Sequence, residues 1–163
     1  MKASPQVQIR VGTLADVGKL ADLATQLGYP STPAEIGARL PHILGRADNV
    51  VLVAAAVDPG DAAGSASSTD SDKLIGFAHL IVKRLLVDDV TVELAALVVD
   101  ERHRGTGCGR DLLKAAEEWT LQQGIDSLSL RSNVVRGRAH SFYERLGYAR
   151  VKTSYAFRKN LKQ

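Results

Sequence analysis

A single cysteine, Cys108, stands among the 163 residues. That excludes a disulfide framework and any multi-cysteine zinc or iron–sulfur centre, and a lone thiol suits a reducing compartment. Aromatic residues reach only 5%, too few to interleave with basic side chains as a nucleic-acid surface requires. No apolar run approaches the ~18 residues of a membrane span. The opening Met1-Lys2-Ala3-Ser4-Pro5-Gln6-Val7-Gln8 lacks the apolar segment of a secretory signal. Internal repeats are missing as well. These absences predict a cytoplasmic protein with no membrane partner, no nucleic-acid partner and no metal site.

What is present is ordinary for a globular chain, with 45% hydrophobic and 24% charged residues. A chain of this length buries roughly 70% of its unfolded surface without staples, so one domain over residues 1–163 is expected. Net charge is only +3, but it is unevenly placed. Residues 1–100 carry 8 Lys and Arg against 12 Asp and Glu, whereas residues 101–163 carry 13 against 6. A basic second half is either a solvated surface or the place where an anion binds.

Val7 to Val11 alternates as a strand does, and residues 14–27 repeat apolar side chains at helical spacing between Thr13 and Gly28. A second helix is predicted from Pro33 to Leu44, kinked or split at Pro41. Strands are predicted at Asn49–Val57, Leu74–Leu86 and Val90–Val99, with a hairpin turn at Asp88-Asp89. Residues 58–72, almost wholly Asp, Gly, Ala, Ser and Thr, read as a flexible loop. A helix over residues 107–123, a strand over 125–130, a helix over 138–146 and strands near 148–152 and 154–159 complete the order. The layout is α+β, a mostly antiparallel sheet flanked by helices.

The informative stretch is Leu97-Val98-Val99-Asp100-Glu101-Arg102-His103-Arg104-Gly105-Thr106-Gly107-Cys108-Gly109-Arg110. A strand leads into alternate glycines that open a long helix. Backbone N–H groups there can approach a ligand closely, and the helix N-terminus favours negative charge. Phosphate or pyrophosphate is the natural guest. The stretch lacks the Lys-Ser/Thr of a P-loop and has GxGxG rather than the GxGxxG of a dinucleotide fold.

Arg104-Gly105-Thr106-Gly107-Cys108-Gly109 after Leu97-Val98-Val99, followed by Ala139-His140-Ser141-Phe142-Tyr143-Glu144-Arg145-Leu146-Gly147-Tyr148, resembles the GNAT superfamily of acyl-CoA-dependent N-acetyltransferases. The resemblance runs from Val7 to Leu161. It implies a single GNAT domain and acetyl-CoA as co-substrate. Backbone groups of Leu97, Val98 and Val99 would meet the pantetheine arm and thioester. The loop of Gly105, Thr106, Gly107, Cys108, Gly109 and Arg110 would hold the pyrophosphate, with Arg104 and Arg110 adding charge. Arg110 also reads as a solvated helix residue. Many family members carry Asn where this chain has Arg136, with Asn133 three residues earlier.

The resemblance makes Tyr143 the candidate general acid, since a phenol with pKa near ~10 stays protonated at neutral pH and can protonate a leaving thiolate. Glu93, in the apolar run Val92 to Leu97, is the candidate base for the amine; an outward-facing strand carboxylate is the alternative. Cys108 is expected to act through its backbone and Trp119 to pack in the core. The implied reaction is direct acetyl transfer to a primary amine, on a small molecule or a protein, in a ternary complex. A non-catalytic acyl-CoA-binding or sensing module is the alternative. Acceptor specificity is expected within Gln26–Leu44, and a homodimer is expected by analogy.

Overall fold

The computed structural model describes residues 6–57 and 70–162. Most of the predicted loop, residues 58–69, therefore lies outside the described residues; its last residues belong instead to a 3-10 turn, Asp70–Lys73. Two compact units are formed, one through Arg131 and one from Ser132 onward. Each is described by itself.

The first unit is a five-stranded sheet with three helices. Strands β1 (Gln6–Val11), β2 (Asn49–Val57), β3 (Leu74–Leu85), β4 (Asp88–Val99) and β5 (Leu128–Leu130) lie side by side in chain order. All neighbours are antiparallel except β4 and β5, which are parallel. Helices α1 (Val17–Leu27) and α2 (Pro33–Leu44) follow β1, and α3 (Cys108–Gln122) joins β4 to β5. The predicted α+β, mostly antiparallel fold is the one observed.

Local chemistry sets the boundaries. A 3-10 turn at Leu14–Asp16 precedes α1, where a continuous helix from residue 14 is expected. Asp16 is fully buried there. Its carboxylate accepts Arg10 Nη1 and Nη2 at 2.8 Å each, the Thr13 amide at 2.8 Å and Ser71 Oγ at 2.9 Å. Burial alone would raise its pKa, but these donors and the Arg10 charge outweigh it and bring the group from 3.8 to about 2. Gly28, at φ 106°, ends α1.

Helix α2 begins in a capping box: Glu35 N donates to Thr32 Oγ1, and Thr32 N donates back to Glu35 Oε2. Helix α2 runs unbroken through Pro41, so of the kink or split expected there the split does not occur. The N–H that this proline lacks would have bonded to the carbonyl of Gly37, and Pro41 sits exposed, so the lost bond falls on the solvent side of the helix. The β3–β4 turn is Leu86-Val87, not Asp88-Asp89, because Leu85 pairs with Asp88. Strand β5 is shorter than the six residues expected.

Both faces of the sheet are covered, which is why β2 reads as an unbroken apolar run. Val51, Val53 and Ala55 join Phe77 and Val98 under Leu20, Leu23 and Leu40 of α1 and α2. The opposite face is capped by the buried stripe Cys108, Leu112, Leu113 and Ala116 of α3. Trp119 is half-buried rather than core. Gly76 on β3 allows the close fit: a Cβ there would lie 2.7 Å from the Val98 carbonyl and 3.1 Å from Leu112 Cδ1.

The second unit holds one helix, α4 (Gly137–Arg145). The strands expected near 148–152 and 154–159 do not form, and Val151, Tyr155, Phe157 and Leu161 are exposed. The segment has the alternation of a strand, but a strand needs a ladder, and α4 offers no edge to pair with.

Candidate active site

Strand β4 ends at Val99, and Asp100 turns the chain. Its amide donates to the Ile75 carbonyl at 2.7 Å. Its carboxylate, 1% exposed, accepts Arg102 N at 3.0 Å, Arg102 Nε at 3.2 Å and Gln26 Nε2 at 3.2 Å. The Arg102 bonds hold it well below the ordinary carboxylate range. Gln26 accepts the Glu101 amide at 3.0 Å in return, so α1 is clasped to the turn.

The glycine loop follows. Gly105 (φ 78°) and Gly107 (φ 95°) lie in the left-handed region that favours glycine. A Cβ on either would meet nothing within 4 Å, so the loop surface is open. Thr106 Oγ1 donates to the His103 carbonyl at 2.7 Å. Gly107 caps α3 with no side-chain bond, leaving the Cys108, Gly109 and Arg110 amides without intrahelical acceptors. Arg104 Nε reaches the Val99 carbonyl at 3.3 Å, and both Arg104 and Arg110 are exposed. Amides at a helix start with guanidinium groups beside them suit a pyrophosphate. The Cys108 thiol points into the core, and burial pushes it up to about 12, which leaves the backbone as its contribution.

Beside this loop β4 is irregular. Its parallel ladder with β5 stops at Leu94 opposite Leu130. From Ala95 through Leu97, Val98 and Val99 its outer edge has no strand partner among the described residues. On the inner edge His79 pairs with Ala96 but Leu80 pairs with Leu94, so Ala95 is an extra, bulged residue.

A cavity of about 320 Å³ opens on the same sheet face, under α1 and α2. Leu20, Ala24, Leu40, Ile43 and Phe77 make most of its wall, and His79, Ala95 and Ala96 line its sheet side. Tyr29, Ser31 and Arg39 supply further polar groups. His79 Nε2 lies 3.0 Å from Asn49 Oδ1, and burial lowers its pKa. Glu93 does not line the cavity. It is partly buried and ion-paired, with Lys83 Nζ at 2.6 Å and Arg131 Nε at 3.8 Å.

Within the second unit Tyr143 packs edge-to-face between Phe142, at a centroid distance of 5.2 Å, and Tyr148, at 5.9 Å. Burial raises its pKa, against the opposing charge of Arg136, so the phenol is protonated at neutral pH. Asn133 shapes the turn before α4. Its side chain accepts the Val135 amide, and its carbonyl accepts Arg136 N and contacts His140 Nε2.

Sequence reasoning missed the Gln26–Asp100 clasp, the bulge at Ala95 and the His79–Asn49 pair. The clasp spans 74 residues and leaves no local trace. A histidine inside the apolar run Leu74 to Leu80 was the one available signal for the pair.

Residues 23–148 match the Acetyltransferase (GNAT) family. An N-acetylaspartate synthetase from Danio rerio is 36% identical over 64 residues, 39% of this chain and 23% of that protein. N-alpha-acetyltransferase 30 from Schizosaccharomyces pombe is 31% identical over 90 residues, 54% of this chain and 59% of that protein. The matches thus span less than two thirds of each of these relatives. Among solved structures, an aminoglycoside N-acetyltransferase in complex with CoA superposes with a TM-score of 0.77 at 18% identity, over 98% of each chain.

Proposed function

We infer the function from one premise: this chain belongs to the acetyltransferase (GNAT) family of acetyl-CoA-dependent N-acetyltransferases. Our reading is that residues 1–163 form a single cytoplasmic acetyltransferase domain. It transfers the acetyl group of acetyl-CoA directly to a primary amine while both substrates are bound.

The observation that carries this reading is the open glycine loop at the start of α3, next to the outer edge of β4, which from Ala95 to Val99 has no strand partner among the described residues. In it the amides from Gly105 to Arg110, with Arg104 and Arg110, hold the pyrophosphate. Leu97, Val98 and Val99 offer backbone groups to the pantetheine arm, and one N–H aimed at the thioester oxygen stabilises the charge that develops there. The acceptor enters the cavity under α1 and α2. Its amine attacks the thioester carbonyl, the C–S bond breaks, and Tyr143 gives its phenolic proton to the sulfur. Glu93 is the candidate to take the amine proton.

Thermal unfolding in an acetyl-CoA series, paired with thiol release on amine addition, tests the reading. Binding to the folded state alone stabilises by about 2.7 kcal/mol at a hundredfold excess over Kd. Tyr143→Phe should lower kcat at least tenfold with acetyl-CoA affinity kept. A saturable shift with no turnover on any amine would favour the non-catalytic binding module, and no shift would remove acetyl-CoA from the account.

A further inference from the structure

We propose that the cavity under α1 and α2 selects an amine carried on an apolar body, a hydrophobic amine or a hydrophobic N-terminal residue. In it, His79 Nδ1 takes the proton that the amine must lose. This rests on the acetyltransferase reading above and deepens it.

The chemical class follows from the lining. The walls are aliphatic and aromatic, and the cavity has no carboxylate among its lining residues; its one formally charged group is Arg39, at the exposed rim. A polycation would bring several charges into an apolar, cationic site with nothing to pair them. An apolar body gains from burial at roughly 25 cal/mol per Å².

The proton acceptor follows from a fixed relay. Arg46 holds Asp48 through Nε at 2.8 Å and Nη2 at 2.7 Å. Asn49 Nδ2 donates to Asp48 Oδ1 at 2.9 Å, which sets the amide so that its oxygen faces His79. The His79 bond at 3.0 Å must then be donated from Nε2–H to Asn49 Oδ1. The neutral ring therefore keeps its lone pair on Nδ1, and Nδ1 has no protein hydrogen-bond partner among the described residues. Ala96, which pairs with His79, and the bulged Ala95 are small and line the same cavity as His79.

An amine arrives mostly as the ammonium ion. It passes one proton to Nδ1, the freed lone pair attacks the thioester carbon, the C–S bond breaks as the sulfur takes the Tyr143 proton, and the excess proton left on the nitrogen restores the phenol. The imidazolium then returns its proton to water. Glu93 is less suited, because its carboxylate is engaged with Lys83 and Arg131. The charged and titratable groups around His79 are Arg39 from α2, Tyr29 after α1, the Lys83–Glu93 pair on the same sheet face, and Asp48 behind Asn49.

The test compares 2-phenylethylamine and leucinamide with spermidine and kanamycin in thiol release, for the wild type, His79→Gln and Asn49→Ala. The apolar amines should exceed the polycations at least tenfold in kcat/KM. Their wild-type acid limb should fall below pH ~6.5, the ordinary histidine value, and in His79→Gln it should move up to the amine's own pKa. Asn49→Ala should lower kcat more than it changes KM. The 15N signal of His79 Nδ1 should shift on saturation with 2-phenylethylamine and not with spermidine. An unchanged acetyl-CoA melting shift shows each variant folded. Preference for the polycations, an acid limb identical in wild type and His79→Gln, or acetyl-CoA binding without acetylation of either apolar amine overturns the proposal and leaves the cofactor reading standing. Absence of any acetyl-CoA shift overturns both.

Discussion

Two regions meet along β4 and are built from different material. Around Gly105 to Arg110 the surface is backbone: glycines at positive φ and amides at a helix start, flanked in the chain by the exposed Arg104 and Arg110. Around His79 it is side chain: Leu20, Leu40, Ile43 and Phe77 with one imidazole between them. A backbone surface selects its guest by charge, so the pyrophosphate site proposed there is compatible with many acceptors. A side-chain cavity sets its guest by volume and polarity, so a single substitution retunes it. Changes in the two regions should therefore separate, one altering cofactor affinity and the other acceptor choice.

The strongest way to break that separation is Leu40→Ala. Leu40 is 3% exposed and lies both in the core and in the cavity wall. Truncation should cost about 2–5 kcal/mol of stability, read by chemical denaturation. It should also widen the cavity and shift preference toward bulkier amines. The acetyl-CoA melting shift, measured from the variant's own lower Tm, should be unchanged. If cofactor affinity fell in step with acceptor choice, the two regions would be one coupled site.

Gly107→Ala probes the other side with a smaller effect. At φ 95° a Cβ costs about 1–2 kcal/mol, although space around it is free. The loop should relax toward negative φ and re-aim the Cys108 and Gly109 amides. Acetyl-CoA should then bind about tenfold more weakly by calorimetry, with the ranking of amines unchanged. Equal affinity in variant and wild type would mean that the loop amides do not hold the pyrophosphate.

The same difference decides what could be read without coordinates. The glycine loop is legible because its glycines and its helix start are adjacent in sequence, and the strand–loop–helix order fixes where they lie. The helical face of α3 and the apolar runs of β2 and β3 were legible for the same reason, since their signals repeat every two to four residues. Gln26 clasping Asp100 was not, because a tertiary contact leaves no period. Nor was the bulge, where Ala95-Ala96 looks like any strand. The hairpin turn was misplaced because Asp88-Asp89 has turn chemistry while the apolar Leu86-Val87 makes the turn. The last two strands carry the right alternation without a ladder to join.

At neutral pH the smallest effect is none at all, and the contrast emerges only in acid. Asp16 pins the start of α1, which walls the cavity, and Asp100 pins the turn that leads into the cradle. Both are buried and both are lowered, Asp16 to about 2. A carboxylate lowered in the folded state contributes stability above its unfolded pKa and loses it as pH falls through the folded value. For Asp16 that window runs from 3.8 down to about 2. Hydrogen exchange read residue by residue should show the Thr13 amide, bonded to Asp16, losing protection across that window, while the Arg102 amide, bonded to Asp100, reports on the turn in the same titration. Loss at one amide with the other still protected would show that the two regions open separately; simultaneous loss at both would mean that they open as one cooperative unit.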